Sequence, residues 1–209
     1  LGLVGSEMCI RDRYLVVWEA DQLGGSNNDR FEIFGQLLDG TANEIGSDFR
    51  ISNVVDVNVF RDAETPALTW CSLKNEYLVV WSSDQHTNNQ LEVFGQLLDV
   101  DGNEINSDFR ISNALDVNAN YNAETPSVAF DSITNDYLVV WASDQRNSNS
   151  TGEVEVFGQL LDTAGTEIGT DIRFSFITDL DDSKDAANPI VLANAVSYTH
   201  LTLPTRRFV

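Results

Sequence analysis

Three near-copies of one stretch predict an all-β protein, an open fragment of a β-propeller with about three four-stranded antiparallel blades. Each copy contains Tyr-Leu-Val-Val-Trp followed by Phe-Gly-Gln-Leu-Leu-Asp. The first string begins at Tyr14, Tyr77 and Tyr137, and the second at Phe34, Phe94 and Phe157. The repeat is therefore about 60 residues long, and no segment has the apolar period of a helix of useful length.

Each copy reads as four short strands, which we call A to D in chain order. In the third copy strand A opens with a proline, a residue that strands tolerate at their first position. Strand B is a nearly unbroken apolar run, which indicates burial on both faces. A Gly-containing turn between C and D predicts a hairpin. The four strands are expected at residues 126–130, 137–141, 155–162 and 171–175.

A sheet buried on both faces favours a propeller, because each blade packs between two neighbours. A sandwich of two sheets would show alternation of apolar and polar residues in most strands. A sandwich and a solenoid remain the alternatives. Natural propellers close with about four to eight blades. The chain is therefore expected to form an open arc with exposed edges, divided into a partial blade (14–53), two blades (64–113 and 124–177) and the first strand of another (188–195).

The two ends carry a pattern of nucleotide origin. Residues 8–12 and 196–200 can be encoded by reverse-complementary DNA, an inverted repeat that protein structure does not require. Both ends resemble translated sequencing-adapter sequence. Residues 1–13 and 196–209 are therefore expected to be artefact, and the genuine chain, about 14–195, to be an interior fragment of a longer protein.

Composition limits the classes of partner. The formal net charge is −21, and 42% of the residues are hydrophobic, so a core is possible on an acidic surface. Such a surface repels nucleic acid and anionic membranes, and no apolar run has the length of a membrane span. We therefore expect neither nucleic-acid binding nor membrane insertion. Cys71, on an apolar strand, is predicted to be a buried, inert thiol.

The repeated motifs resemble the tandem propeller repeats of large bacterial secreted or surface proteins. The pattern is a proline, then Tyr-Leu-Val-Val-Trp, then Phe-Gly-Gln-Leu-Leu-Asp with its turn, and in strand order it is similar to TolB-like and WD40-like blades. The resemblance covers about residues 14–195 and rests on structural motifs. It implies an extracellular or cell-surface location, with the remaining blades of a longer chain as partners. The Asp-box of sialidases is missing, so that activity is not implied.

Polar residues that recur beside the strands have two interpretations. One is a hydrogen-bond network that satisfies buried groups in each blade. The other is a ligand pocket per blade, as in propeller lectins, where Trp stacks on a glycan or protein ligand and polar groups hydrogen-bond to it. The candidates for such pockets are Trp81, Asp84, Gln85 and Arg110 in one copy and Trp141, Asp144, Gln145 and Arg173 in the next.

The segments between strands D and A are acidic in every copy. Carboxylate and amide oxygens at alternate positions can converge on calcium, a hard cation with six to eight oxygen ligands. A solvated acidic loop is the alternative. The candidate calcium ligands are Asp56, Asn58, Asp62, Asp116, Asn118 and Asn122. No other cofactor is predicted.

These observations favour a non-catalytic binding or scaffolding module of a secreted or cell-surface bacterial repeat protein. No catalytic residue is assigned, because acidic residues are too abundant for a carboxylate pair to be chosen. The alternatives are a fragment of a propeller-based glycosidase or lyase and a calcium-dependent, lectin-like adhesin. Loop length varies only between strands B and C, so the face where the B–C and D–A loops emerge is expected to hold any ligand.

Overall fold

The computed structural model describes residues 13–21, 30–54, 61–87, 90–117, 121–145, 153–177 and 184–194. Within these ranges eleven strands form three antiparallel sheets, and the all-β prediction is confirmed. Of the two predicted artefact segments only Arg13 is described. It begins the first strand, and its guanidinium donates to the carbonyl of Val100 at 2.9 Å.

The three sheets repeat one strand order. The first sheet contains β1 (Arg13–Ala20), β2 (Glu32–Asp39) and β3 (Glu44–Arg50). The middle sheet contains β4 (Ala63–Cys71), β5 (Glu76–Thr87), β6 (Gln90–Asp99) and β7 (Glu104–Arg110). A single helical turn, α1 (Ala114–Val117), leads to the third sheet, which contains β8 (Ala123–Asp131), β9 (Asp136–Ser143), β10 (Glu155–Leu161) and β11 (Glu167–Arg173). Strands that follow each other in the chain are neighbours in every sheet.

Strand A begins earlier than its proline suggests. β8 was expected to open at Pro126, but it opens at Ala123, and the pairing of β8 with β9 shifts register between Glu124 and Ser127. β4 shows the same shift around Pro66. Proline has no N–H to donate, so it occupies a bulge within the strand. Strand D also starts earlier than expected, at Glu167.

A bulge in strand C explains the recurring glutamine. The pairing of β6 with β7 shifts register between Gly95 and Leu97, which leaves Gln96 unpaired in the ladder. The buried Nε2 of Gln96 donates to the carbonyls of Leu97 at 2.9 Å and Ile105 at 3.2 Å. The side chain therefore replaces ladder hydrogen bonds that the bulge removes. The other two sheets place Gln36 and Gln159 in the same contacts.

The turn between strands C and D is a hairpin, as predicted. In the middle sheet the N–H of Asp99 donates to the carbonyl of Asn103 at 2.9 Å. Oδ1 of Asp99 accepts from the N–H groups of Asp101 and Asn103, so the carboxylate closes the turn. Gly102, with φ of 83°, occupies the left-handed position.

The sheets stack face against face in chain order. Leu15, Leu37 and Ile51 of the first sheet pack on Tyr77, Val79 and Trp81 of the middle sheet. Leu78, Leu97 and Ile111 of the middle sheet pack on Tyr137, Val139 and Trp141 of the third. Strand B of the middle sheet is therefore buried on both faces, as predicted. Cys71 is a buried free thiol in the second of these two interfaces.

Residues 184–194 repeat the approach to strand A without a sheet of their own. The N–H of Ala186 donates to the carbonyl of Val154 at 2.8 Å, as that of Ala63 does to Phe31 at 2.9 Å. Asn188 has the positive φ of Thr65 and Thr125. No strand is assigned here, although a strand was expected at 188–195, because the described ranges contain no fourth sheet with which these residues can pair.

Across the described residues, no helix has the length and apolar character needed to cross a lipid bilayer. The helix α1 is one turn long.

Candidate functional site

Six carboxylates lie at the end of the sheets where strand B finishes and strand A begins, and we call them the acidic rim. Glu64 is equivalent to Glu124 and Asp84 to Asp144, whereas Ser82 and Ala142 occupy the position of Glu19 in the other two sheets. The connections between strands B and C and between D and A belong to this same end. The acidic rim consists of Glu19, Asp62, Glu64, Asp84, Glu124 and Asp144.

Contacts across the rim join neighbouring sheets. Thr65, at the proline bulge of β4, donates its N–H to Oε2 of Glu19 on the first sheet at 2.6 Å. Thr125, at the equivalent bulge of β8, donates its N–H to Oγ of Ser82 on the middle sheet at 3.1 Å. The left-handed conformation of both threonines turns these N–H groups out of their own ladders. The bulges therefore bring Glu64 and Glu124 close to the preceding sheet.

Three carboxyls of the acidic rim have a raised pKa. Partial burial raises the pKa of Glu64, and the charges of Asp62, Glu19, Asp84 and Glu124 raise it further. Burial, followed by the charge of Asp144, raises the pKa of Glu124. Burial also raises the pKa of Asp144. These three carboxyls therefore hold a proton more readily than fully solvated carboxyls do.

The predicted ligand groups Asp84 and Asp144 brace the start of strand A. Oδ1 of Asp84 accepts the N–H of Asp62 at 2.9 Å, and Oδ1 of Asp144 accepts the N–H of Asn122 at 2.7 Å. Gln85 reaches along its own sheet, where Nε2 donates to Oδ2 of Asp108 at 2.9 Å. Gln145 donates its N–H to Oγ of Ser143 at 3.2 Å. The structure therefore places Asp84 with Gln85, and Asp144 with Gln145, at the end of strand B, where each makes hydrogen bonds within the protein.

The predicted stacking residues lie in the interior. Trp81 and Trp141 are fully buried in the two interfaces between sheets, so neither presents a ring face to solvent. Both lie on strand B, on the face that packs against the preceding sheet. Their recurrence therefore follows from packing of the sheets. Trp18, at the same position in the first sheet, is only partly buried and lines an open groove.

Arg110 and Arg173 belong to a buried network that the motif analysis missed. In the middle sheet Glu92 is fully buried, and its carboxylate accepts hydrogen bonds from Oγ of Ser112 and, at 3.2 Å, from the N–H of Ala114. Oγ of Ser112 accepts the N–H of Val93 at 2.8 Å. Nη1 of Arg110 lies 3.7 Å from Oε1 of Glu92. The carboxylate is therefore neutralised and hydrogen-bonded inside the sheet.

The other sheets repeat this network. In the first sheet Glu32 pairs with Ser52, and in the third Glu155 pairs with Ser175 and with Arg173, whose Nη2 donates to Oε1 of Glu155 at 2.7 Å. The signal in the sequence is a glutamate before Val-Phe-Gly-Gln or Ile-Phe-Gly-Gln, with an Arg-x-Ser string about 20 residues later. Both arginines are thus held by structural contacts, and Arg173 also lies 4.6 Å from the ring centroid of Phe176.

The predicted calcium ligands separate into different roles. Asp56, Asn58 and Asn118 lie outside the described residues. Asp62 and Asn122 accept the N–H groups of Phe31 and Leu91, both at 2.8 Å. Asp116 binds Nη2 of Arg110 at 2.6 Å. Within the described ranges no three His, Cys, Asp or Glu side chains form a group that could hold a metal ion.

Comparison with known proteins identifies the fold. No family model matches the chain, and no curated protein matches its sequence. A solved structure of Penicillium chrysogenum alpha-L-arabinanase complexed with arabinobiose is similar, with a TM-score of 0.56 at 10% sequence identity. The similarity covers 85% of this chain and 48% of the arabinanase, so the chain spans about half the length of that protein. The chain therefore has the fold of an open fragment of a β-propeller, as predicted.

Proposed function

We propose that the chain is the carbohydrate-binding part of an extracellular β-propeller protein and that it acts as a binding module. The ligand lies over the acidic rim, on the face where the B–C and D–A loops emerge. The observation that carries this proposal is the position of Glu64, which is partly buried and lies near carboxylates of all three sheets, so that its pKa is raised. The similarity to a propeller bound to arabinobiose supports a saccharide as the class of ligand.

Sugar hydroxyls both donate and accept hydrogen bonds. The carboxyl groups of the rim offer acceptors, and the neighbouring hydroxyls of Thr65 and Ser82 can donate as well as accept. Charged and neutral polar groups that converge in one place also provide the specificity that a neutral ligand requires. The acidic rim therefore fits an uncharged glycan better than an anionic one, which the net charge of −21 repels.

Calorimetric titration with arabinobiose and with linear arabinan tests the proposal. Glu64→Gln and Glu124→Gln are expected to weaken binding at least about tenfold, because each replaces a carboxyl group by a neutral amide, a weaker acceptor for the sugar hydroxyls. Glu104→Gln, a matched change at the exposed start of β7 and away from the rim, is expected to leave affinity unchanged. Equal effects of all three substitutions, or no heat with either saccharide, would contradict the proposal.

Glycoside hydrolysis is the second candidate, because burial raises the pKa of Glu64 and of Glu124, and a general acid needs a shift in this direction. Against it, the same glutamate recurs in two sheets, whereas a catalytic acid is needed once. Reducing-sugar release from arabinan in the same samples separates the two functions. Hydrolysis that Glu64→Gln or Glu124→Gln abolishes, with binding retained, would identify an enzyme.

Calcium binding by the acidic D–A segments is a further proposal. It rests on Asp56, Asn58 and Asn118 together with the described Asp62, Asp116 and Asn122. A bound calcium ion stabilises the folded state that holds it, so the melting temperature is expected to be higher in calcium than in EDTA. Scanning calorimetry measures this difference, and identical transitions would remove calcium from the list of ligands.

A further inference from the structure

A buried serine at the end of strand B in the middle sheet lies between two carboxyls of the acidic rim. Ser82 is 2% exposed and lies opposite Glu64 in the ladder of β4 with β5. Its Oγ lies 3.1 Å from Oγ1 of Thr65, and it accepts the N–H of Thr125, the residue after Glu124, at 3.1 Å. One hydroxyl therefore contacts the residue that follows each of the two carboxyls.

The contacts of Ser82 complete a chain of hydrogen bonds across three sheets. Glu19 on the first sheet accepts the N–H of Thr65 at 2.6 Å. Thr65 contacts Ser82 within the middle sheet, and Ser82 contacts Thr125 on the third. The φ of Thr65 is 53° and that of Thr125 is 51°, so each N–H needs a partner outside its own ladder. The chain therefore ties the two proline bulges to each other.

The three sheets carry different residues at the position of Ser82. The first sheet has Glu19 there and the third has Ala142. Glu19 accepts the N–H of one bulge threonine, and Ser82 contacts both bulge threonines. An alanine has no polar side-chain atom with which to contact either. The link between the bulges of β4 and β8 therefore depends on the serine of the middle sheet.

The third sheet shows what the alanine removes. Oγ1 of Thr65 has Ser82 as its partner, whereas the buried Oγ1 of Thr125 has none. Ala142 lies opposite Glu124 in the ladder of β8 with β9, at the place where a serine would contact this hydroxyl. The contact from Ser82 to the N–H of Thr125 is therefore the side-chain bond that holds this bulge.

We propose that Ser82 is a positioning residue of the acidic rim, which holds Glu64 and Glu124 in one arrangement through the two bulge threonines. The inference rests on the proposed binding of a glycan at this rim, and it adds how the two carboxyls are presented together. Ser82 is buried, so it acts through the carboxyls and does not touch the ligand. A site that is ordered before the ligand arrives loses less conformational entropy on binding.

Carbon-13 NMR of the side-chain carboxyls tests the positioning without a ligand. Burial, followed by the charge of Asp144, raises the pKa of Glu124. Ser82→Ala releases the bulge of β8 toward solvent, so the pKa of Glu124 is expected to fall toward the ordinary value of a glutamate. Glu124→Gln assigns the signal, because that signal is then missing from the spectrum.

Calorimetric titration with arabinobiose measures the consequence for binding. Ser82→Ala is expected to weaken affinity about tenfold, and the fold should tolerate it because alanine is the residue of the third sheet at this position. Thr65→Val removes the other hydroxyl of the same contact from an exposed residue and keeps its shape. It is expected to weaken affinity about threefold.

A hydroxyl supplied from the other side tests whether Ser82 acts through the bulge of β8. Ala142→Ser places a hydroxyl opposite Glu124, where it can bind the unpartnered Oγ1 of Thr125. On its own this change is expected to leave affinity unchanged. Added to Ser82→Ala, it is expected to restore affinity to within about threefold of the original chain.

Ser112→Ala is the matched control for loss of stability. Ser112 is a fully buried serine that follows β7 of the same sheet, and its hydroxyl bonds to Glu92 and Val93. Its replacement is expected to lower the melting temperature. The pKa of Glu124 and the affinity for arabinobiose are expected to stay as they are in the original chain.

Three results overturn the inference. A pKa of Glu124 or an affinity that Ser82→Ala leaves unchanged shows that the hydroxyl does not position the carboxyls, while the proposed binding stands. Equal effects of Ser112→Ala assign the change to general loss of stability. A loss that Ala142→Ser does not restore, although this substitution alone leaves binding intact, places the effect outside the bulge of β8.

The two proposals can fail separately. If the original chain binds no saccharide, the proposed function fails, and the carboxyl titration decides the role of Ser82. A fall in the pKa of Glu124 in Ser82→Ala and not in Ser112→Ala then supports the positioning role, and an unchanged pKa overturns it.

Discussion

The middle sheet and the first sheet carry nearly the same strand B in different surroundings. Tyr77 in the middle sheet is 6% exposed, whereas Tyr14 in the first sheet is 57% exposed. Val79 is buried and its equivalent Val16 is exposed. The sequence of a strand therefore does not decide its burial. A neighbour on each face does, and the stability of one sheet depends on the sheets beside it.

Replacing the strand B tryptophan should give the largest difference between the two sheets. Trp81→Ala is expected to lower the free energy of unfolding by about 3–5 kcal/mol, because it leaves a cavity in a packed interface. Trp18→Ala is expected to cost less than half of this, since Trp18 has one open face. Urea denaturation at low protein concentration measures both. Equal losses would mean that the open face of the first sheet, which carries Trp18, is covered in solution.

The buried glutamate network gives a second, smaller difference. Ser112→Ala is expected to cost about 1–3 kcal/mol, because the carboxylate of Glu92 and the N–H of Val93 lose their common partner in a buried place. Ser175→Ala in the third sheet is expected to cost less, since water can replace the hydroxyl at this partly exposed site. Thermal denaturation of the two variants gives the ratio. A larger loss for Ser175→Ala would show that the third sheet is the better packed of the two.

The smallest expected effect is a gain in stability on replacement of Asp171. Burial raises the pKa of Asp171 to about 6, so the folded chain holds this proton more tightly than the unfolded chain does. Stability therefore falls as pH rises from about 4 to about 6, and the loss is complete above that window. Asp171→Asn is expected to raise stability by about 1 kcal/mol near pH 7, after allowance for solvent screening, and to change little near pH 4.

Asp108→Asn is the matched control for this prediction, because Asp108 has the same position in the middle sheet and accepts Nε2 of Gln85 at 2.9 Å. It is expected to give no gain at any pH. Melting curves of both variants between about pH 4 and about pH 7 measure the difference in stability. A gain at Asp171 that persists near pH 4 would show that its charge is not the cause.

The repeat allowed the fold to be predicted. The roles of individual side chains were harder to predict. Recurrence predicted the number and order of strands within each of the three sheets, because copies of one short β unit have few ways to bury their faces. It did not separate packing from binding, and Trp81 and Trp141 recur for packing. Glu32 and Glu92 were missed, since a charged residue in a strand ordinarily reads as exposed and only its distant serine and arginine partners allow burial.

The bulges at Pro66 and Pro126 could not be predicted from the sequence of strand A alone. Pro66 and Pro126 suggested strand starts, and the pairing shows that the strands begin upstream and pass through the prolines by a shift of register. Such a shift depends on contacts with the preceding sheet, as in the bond from Thr65 to Glu19. A local pattern cannot contain that information, because the partner lies in another copy of the repeat.

Each sheet in this molecule pairs strands in the order in which the chain supplies them. Every ladder therefore closes a short loop, and the entropy lost on closing it is small. Contacts between residues far apart in sequence arise mainly where one sheet meets the next. In kinetic terms the chain can form a sheet, hold it until the next has been synthesised, and add stability in steps of about 60 residues.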